Sequence, residues 1–204
     1  VTEYEWGYRN SCITAHTIAG GIRTEYRHEP LVGCTKIVEP SGIVHNYEYR
    51  SGRLVKETNH AGQKLSEYAY TIHAGTTPLN TITQDIYQNA NNHFSKKQIF
   101  DGMGQEVMVI GQATSPNGEN IVQVSEYDAL GRQTRVWQPF ATSANGYFSN
   151  FGNIATSYYG DTRPYTEYQT EISAQGRVIE TVLPGTDFES HPVRNEYLCN
   201  NQTA

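Results

Sequence analysis

Apolar and polar positions alternate with a period of two along most of the chain. In GIRTEYRHEP (21–30), Ile22, Thr24 and Tyr26 fall on one side and Arg23, Glu25 and Arg27 on the other. SGIVHNYEYR (41–50) groups Ile43, Tyr47 and Tyr49, and KLSEYAYTI (64–72) groups Tyr68, Tyr70 and Ile72. QEVMVIG, NIVQVSEY and GRVIETVLPG are short, β-branched runs. Period and residue type together predict strands. Turn signals separate them: Pro40-Ser41-Gly42, Ser51-Gly52, Ala61-Gly62, Asp101-Gly102, Asn117-Gly118 and Gly131. Gly42, Gly52 and Gly62 recur every ten residues, the span of a strand of about seven residues and a tight turn.

Helical spacing is scarce. TPLNTITQDIYQNANNHF (77–94) sets Leu79, Ile82 and Ile86 in helical phase, but its Thr and Asn disfavour a helix interior. It reads as linker plus strand, with a short helix as the alternative. ATSANGYFSNFGN (141–153) reads as a loop that caps or decorates a sheet. The expectation is an all-β fold: consecutive antiparallel hairpins forming a curved, twisted sheet, with little or no helix. Residues 1–75 are expected as hairpins. Residues 76–98, with the Thr76-Thr77-Pro78 turn, form a connecting segment. Residues 99–204 form a second β module or a continuation of the first.

One pattern recurs within these hairpins. YDALGRQTRV, from Tyr127, has a gapless upstream echo in FDGMGQEVMV, from Phe100. Each reads aromatic, Asp, two residues, Gly, a polar residue and a β-rich run, so Asp101-Gly104 matches Asp128-Gly131-Arg132. YRSGRLVKE, from Tyr49, is one residue tighter, with Arg50 where Asp would sit before Gly52-Arg53. ISAQGRVIETV, from Ile172, keeps Gly176-Arg177 without the aromatic or the Asp. Turn chemistry accounts for the pattern. Asp accepts hydrogen bonds from N–H groups two or three residues ahead. Gly supplies a positive φ. Arg opens the returning strand, placed to stack on a Tyr or pair with an Asp of the next hairpin. Asp128 and Arg132 are therefore read as structural and not catalytic.

Tyr-Asp-x-x-Gly-Arg resembles the signature of YD repeats, also called Rhs repeats. Residues 24–70 are similar to the YD-repeat stretch of large Bacteroidetes surface proteins through Pro30-Leu31-Val32-Gly33, Thr35, Pro40-Ser41-Gly42, Tyr47-Glu48-Tyr49 and Gly52-Arg53-Leu54. The departure is Arg50, where the family has Asp, with one turn residue missing. Residues 99–197 resemble another module of such proteins through FDGMGQEV, SPNGENIVQVSEYDALGRQTRVWQPF, Tyr158-Tyr159 and VIETVLPGTDF. The resemblance implies a strip of hairpins that winds into a shell, which encloses a C-terminal toxin in some members. It also implies a cell-surface or secreted location, and in other members carbohydrate or cell–cell contact.

Composition narrows the functions. Hydrophobic residues make up 37% of the 204 and mean hydropathy is -0.61, so the core is thin or spread along a sheet with one wet face. Tyr dominates the aromatics, 15 against 6 Phe and 2 Trp, and suits half-buried positions with the hydroxyl wet. A net charge of -6 without a basic stripe argues against nucleic-acid partners and anionic membranes. No apolar run approaches a membrane span, so no membrane insertion is expected of this segment. Val1 opens on an alternating polar and aromatic stretch with no initiator Met, so an excised piece without a signal peptide is expected.

Motifs for chemistry are sparse. Cys12, Cys34 and Cys199 are odd in number and widely spaced. They read as buried free thiols, with Cys12–Cys34 pairing open if their strands are neighbours. The seven His (His16, His28, His45, His60, His73, His93 and His191) form no HxH or HExxH. No GxSxG elbow or P-loop occurs. GMGQEV and AGGIR are Gly turns without a strand–helix setting. Asn201-Gln202-Thr203 fits a glycosylation pattern at the end of the sequence. No catalytic, cofactor-binding or metal-ligating residue is assigned, and no cofactor. The expected function is a non-enzymatic structural segment whose partner is the remainder of its own parent chain. One alternative is a carbohydrate-binding β module, with Tyr68, Tyr70, Tyr127, Trp137, Tyr158 and Tyr159 as stacking candidates. Another is a glycan-acting hydrolase fragment, whose carboxylate pair the sequence does not locate.

Overall fold

The computed structural model describes residues 1–72 and 79–198. His73, the Thr76-Thr77-Pro78 turn, Cys199 and Asn201-Gln202-Thr203 lie outside the described residues. The chain is all-β, as the alternation implies. Among the described residues, sixteen strands join one antiparallel sheet in chain order from β1 to β12 and on through β14 to β16, with β13 pairing β11. The chain divides into two compact units. One holds Val1–Tyr70 and Thr83–Ser95, the other Thr71–Ile82 and Lys96–Ala204. Strands β8 (Asn80–Asn89) and β9 (Asn92–Phe100) lend residues to both. They fill most of the stretch read as connecting.

The first unit is a thin ladder. Its strands are β1 (Glu3–Gly7), β2 (Cys12–Ile18), β3 (Ile22–Glu29), β4 (Gly33–Val38), β5 (Val44–Arg50), β6 (Arg53–Thr58) and β7 (Lys64–Thr71). Only Ala15 and Ser66 of its described residues are buried. Cross-strand neighbours supply cohesion in place of a core. Tyr26 opposes Ile37, which opposes His45, and Tyr47 opposes Glu57, which opposes Ser66. Glu57 holds this row together: one carboxylate oxygen lies 2.7 Å from His45 Nδ1 and the other accepts the Ser66 hydroxyl at 3.0 Å. Burial pushes the Tyr47 phenol up to about 12. Cys12 and Cys34 lie on β2 and β4 with β3 between them, and both are free. Two strand spacings, roughly 9.6 Å, exceed the reach of a disulfide, so pairing is excluded.

The second unit has a core. Strands β10 (Glu106–Gly111), β11 (Asn120–Tyr127), β12 (Gln133–Trp137), β13 (Phe140–Thr142), β14 (Tyr165–Thr170), β15 (Val178–Val182) and β16 (Val193–Arg194) build it. Ile99, Met108, Ile110, Val122, Val124, Trp137, Phe140 and Ala155 form one buried cluster. β12 and β13 run along β11 as two segments, broken at Gln138-Pro139, where proline has no N–H for the ladder. The Gln138 N–H turns to the Pro164 carbonyl at 2.8 Å.

The segment 141–153, expected as loop throughout, ends inside a helix. α1 spans Phe151–Tyr159. Phe151, Ile154 and Ala155, spaced i, i+3, i+4, face the cluster, and Gly160 closes the helix at φ 64. A Cβ on Gly152 would come within 3.2 Å of the Trp137 ring, so glycine lets the helix lie against the indole.

Candidate functional site

The repeated turn is the feature most sharply built. At Asp128 the backbone closes twice: the Asp128 N–H donates to the Arg132 carbonyl, and the Gly131 N–H to the Asp128 carbonyl, each at 2.9 Å. Asp128 Oδ1 accepts the N–H groups of Leu130 and Arg132, both at 2.9 Å. The Arg132 guanidinium reaches Oδ2 at 2.7 Å. These donors hold the Asp128 carboxyl below its ordinary range, the Arg132 backbone N–H foremost. Gly131 sits at φ +81, which lets the chain re-enter a strand after the turn.

The same five-residue turn occurs at 39–43, 59–63, 101–105 and 115–119, with the same two backbone bonds. Asp101 Oδ1 repeats the two bonds of Asp128 Oδ1, accepting the N–H groups of Met103 and Gln105. Asn59 does the same toward Ala61 and Gln63, and Ser115 caps Glu119. Sequence reading missed Asn59 and Ser115. The signal was there in a capping residue three places before Gly62 and Gly118. The echo at Tyr49 is a different turn. Ser51 (φ 50) and Gly52 (φ 75) make a two-residue link, with Arg50 and Arg53 paired across it. Arg50 is thus a strand residue and no substitute for Asp. At the degenerate copy Glu171 takes the acid's place. It accepts Arg177 Nε at 2.7 Å and the Ser173 hydroxyl at 2.6 Å, and these bonds, with Arg177 first, lower it to about 2.

The aromatic of the motif reaches backward. Tyr127 OH donates to the Glu106 carbonyl at 3.1 Å, Tyr70 OH to Leu54 at 2.8 Å, and Tyr197 OH to Val178 at 3.0 Å. Glu106, Leu54 and Val178 each stand two residues past a turn glycine: Gly104, Gly52 and Gly176. Tyr49 OH makes the equivalent bond to Cys34 at 3.0 Å, one residue past Gly33. A ladder slip sets up two of these contacts. Register shifts between Glu48 and Tyr49 and between Glu126 and Tyr127, and a bulge of this kind re-aims the side chain that follows it. His28, after the slip at Arg27, holds the corresponding place on β3, and its Nδ1 is buried with no hydrogen-bond partner among the described residues. Phe100 ends β9 and has no hydroxyl to offer.

The polar residue after the glycine reaches forward. Gln105 Nε2 donates to the Gly131 carbonyl at 2.7 Å, and Arg132 Nη1 to the Glu171 carbonyl at 3.1 Å. Arg53 lies 5.8 Å from the Tyr70 ring centroid and Arg177 4.5 Å from that of Tyr197. Tyr, Asp, Gly and Arg therefore act as one device: Asp and Gly turn the chain, Tyr ties the new strand to the previous turn, and Arg ties the turn to the next hairpin.

The stacking candidates do not converge. Trp137 is buried at 7% exposure, packed against Phe151 and Tyr165 with centroids 5.5 and 4.8 Å away. Its Nε1–H donates to the Glu126 carboxylate, so it offers no open platform, a correction to the expectation. Tyr68, Tyr70 and Tyr127 are half-buried, and each hydroxyl is engaged by Gln84, Leu54 or Glu106. Tyr158 and Tyr159 are exposed on α1, edge to face at 5.1 Å, with the Tyr159 hydroxyl donating to the Pro139 carbonyl. Among the described residues no group of three His, Cys, Asp or Glu could hold a metal ion. None of their helices is long and apolar enough to cross a membrane.

A family model described as "Domain of unknown function (DUF6443)" matches residues 72–199. No curated protein matches the sequence. Among solved structures the chain is similar to "Crystal Structure of TcdB2-TccC3", with a TM-score of 0.57 at 13% identity over 89% of this chain and 11% of that one. It is also similar to "Crystal Structure of TcdB2-TccC3-TEV", with a TM-score of 0.59 at 10% identity over 90% of this chain and 14% of that one. The chain spans a small part of these structures' length, and at such identities the likeness is one of fold.

Proposed function

Because this chain belongs to the DUF6443 family, and shares a fold with part of TcdB2-TccC3, we propose that it is a non-catalytic structural segment of a large Rhs/YD-repeat protein. Its role is to contribute β-hairpins to a shell or scaffold at the cell surface or outside the cell, with the rest of the parent chain as its partner. One observation carries this reading: the motif's polar side chains are spent on tying hairpins together. Tyr127, Asp128 and Arg132 each have a structural partner within the ladder, and ties of this kind hold each hairpin in register with the next.

The test uses the parent protein carrying Tyr127→Phe with Arg132→Met. Limited proteolysis is expected to cut the variant within 99–177 at protease levels that leave the wild type whole. A glycan array run beside it decides against the rival. Glycan binding that disappears in Tyr158→Ala/Tyr159→Ala, with proteolytic resistance unchanged in the first variant, would replace the scaffold reading with a carbohydrate-binding one.

A further inference from the structure

The dipeptide Asn-Gly occurs twice, at Asn117-Gly118 and Asn145-Gly146. In such a pair the glycine nitrogen can attack the asparagine side-chain amide, because no Cβ on the glycine obstructs the approach. The fold holds the two pairs differently. Asn117-Gly118 lies inside the closed turn 115–119. The Gly118 N–H donates to the Ser115 carbonyl at 2.9 Å, with Gly118 at φ +76. That nitrogen must give up a turn-closing bond before it can react.

Asn145-Gly146 lies between β13 and α1, in neither element. Among the described residues no hydrogen bond holds the Gly146 N–H, and a Cβ there would meet nothing within 4 Å. The asparagine, by contrast, is held. Lys97 Nζ donates to Asn145 Oδ1 at 2.9 Å and to the Asn145 carbonyl at 3.1 Å. Gln112 Nε2 donates to the same Oδ1 at 3.2 Å. Asn120 Nδ2 fixes the preceding carbonyl, that of Ala144, at 2.8 Å. Two donors, one of them a cation, thus converge on the oxygen that becomes negative when the amide carbon is attacked, and donors so placed stabilise an oxyanion. Asn145 is exposed, so water reaches it.

We propose that Asn145 is a site of self-catalysed deamidation, with Lys97 and Gln112 as the groups that activate its amide. The Gly146 nitrogen bonds to Asn145 Cγ and yields its proton to water. The oxyanion on Oδ1 collapses and the bond from Cγ to the amide nitrogen breaks. That nitrogen takes a proton from water and leaves as ammonia. Water then opens the succinimide at either carbonyl, giving aspartate or isoaspartate at position 145. Lys97 is not the nucleophile. Its ammonium has no free electron pair, and among the described residues no carboxylate is hydrogen-bonded to it or to Asn145 to take its proton. The aspartate product turns the Lys97 contact into an ion pair on the segment that leads into α1. The modification is independent of the scaffold reading.

The folded chain 1–204 is incubated at mildly alkaline pH. Tryptic peptides are followed by mass spectrometry for the gain of one mass unit and for isoaspartate. The peptide carrying Asn145 is expected to convert about tenfold faster than the one carrying Asn117. In urea the two should convert at comparable rates, because neither the turn nor the donors remain. Lys97→Met is expected to slow conversion at position 145 about fivefold. Lys97→Arg, which keeps a cationic donor, should stay within about twofold of the wild-type rate. A merely structural role for Lys97 predicts the opposite sign, since a loosened segment deamidates faster. The wild-type comparison of the two sites needs no variant to fold. Equal rates at 117 and 145 in the folded chain, a rate at 145 unchanged or raised in Lys97→Met, or a peptide cross-linked between residues 97 and 145 would each overturn the proposal.

Discussion

The hydroxyl of Tyr127 donates to the carbonyl of Glu106, 3.1 Å away and 21 positions earlier in the chain. The bond joins the last residue of β11 to the first of β10, so it fixes where one hairpin lies along the next. Tyr127→Phe keeps the ring and removes the donor. The expected loss is about 0.5–1.5 kcal/mol, since the Glu106 carbonyl is left without it. A lower urea midpoint at unchanged slope is the measurement. Tyr49→Phe is expected to act by a similar amount at Cys34. The two share no partner, so the double variant should show their sum.

Gly131 and Gly62 separate backbone strain from interlocking. Both have positive φ, +81 and +76, but a Cβ on Gly62 meets nothing within 4 Å, whereas one on Gly131 would lie 2.6 Å from Gln105 Nε2. Gly62→Ala is expected to cost about 1 kcal/mol for the left-handed conformation alone. Gly131→Ala should cost about 1 kcal/mol more, because it also displaces the Gln105 bond to the Gly131 carbonyl. Denaturant midpoints compare the two. Faster amide exchange at 101–105 is expected only in Gly131→Ala.

Acid should loosen the turn at Glu171. Glu171 is lowered from 4.5 to about 2, first by Arg177 and then by Ser173. A group with a depressed folded pKa binds fewer protons folded than unfolded. Its contribution is therefore complete above pH 4.5 and is lost as pH falls toward 2. Glu171→Gln should be less stable than wild type at neutral pH and converge with it near pH 2. Thermal melts between pH 6 and pH 2 decide this. Parallel curves across that range would show that the pairing with Arg177 contributes nothing.

Trp137 and Tyr158 mark the two ends of aromatic burial in the second unit. Trp137→Ala removes a buried ring that supports Phe151 and Tyr165, and a loss of about 3–5 kcal/mol is expected. Tyr158→Ala, on the exposed side of α1, should fall within about 0.5 kcal/mol of wild type. Equilibrium unfolding of both variants tests the assignment of α1 as the cover of this core.

The strands and turns were legible because each depends on its nearest neighbours in sequence. Alternation marks a strand, and an acid three places before a glycine marks the turn at Asp101 or Asp128. Asn59 and Ser115 escaped because only their shared chemistry with Asp, and not their identity, makes the turn. The Tyr127–Glu106 bond was not legible at all. It depends on a ladder slip, which is a relation between two strands. α1 was hidden by Gly152, Asn153 and Ser157, which weaken helix propensity. Phe151, Ile154 and Ala155 gave the right spacing, but the helix is held by the core it covers.

The slip before Tyr49 and Tyr127 constrains how such a chain can change its length. One residue gained or lost within β5 or β11 would send every side chain beyond it to the opposite face. It would also carry the phenol away from its carbonyl. A complete pair of strands with its turn restores both phase and tie. Growth or shortening of the strip is therefore expected to proceed by whole-hairpin duplication or deletion in the gene, in steps of about twenty codons for hairpins with strands of this length.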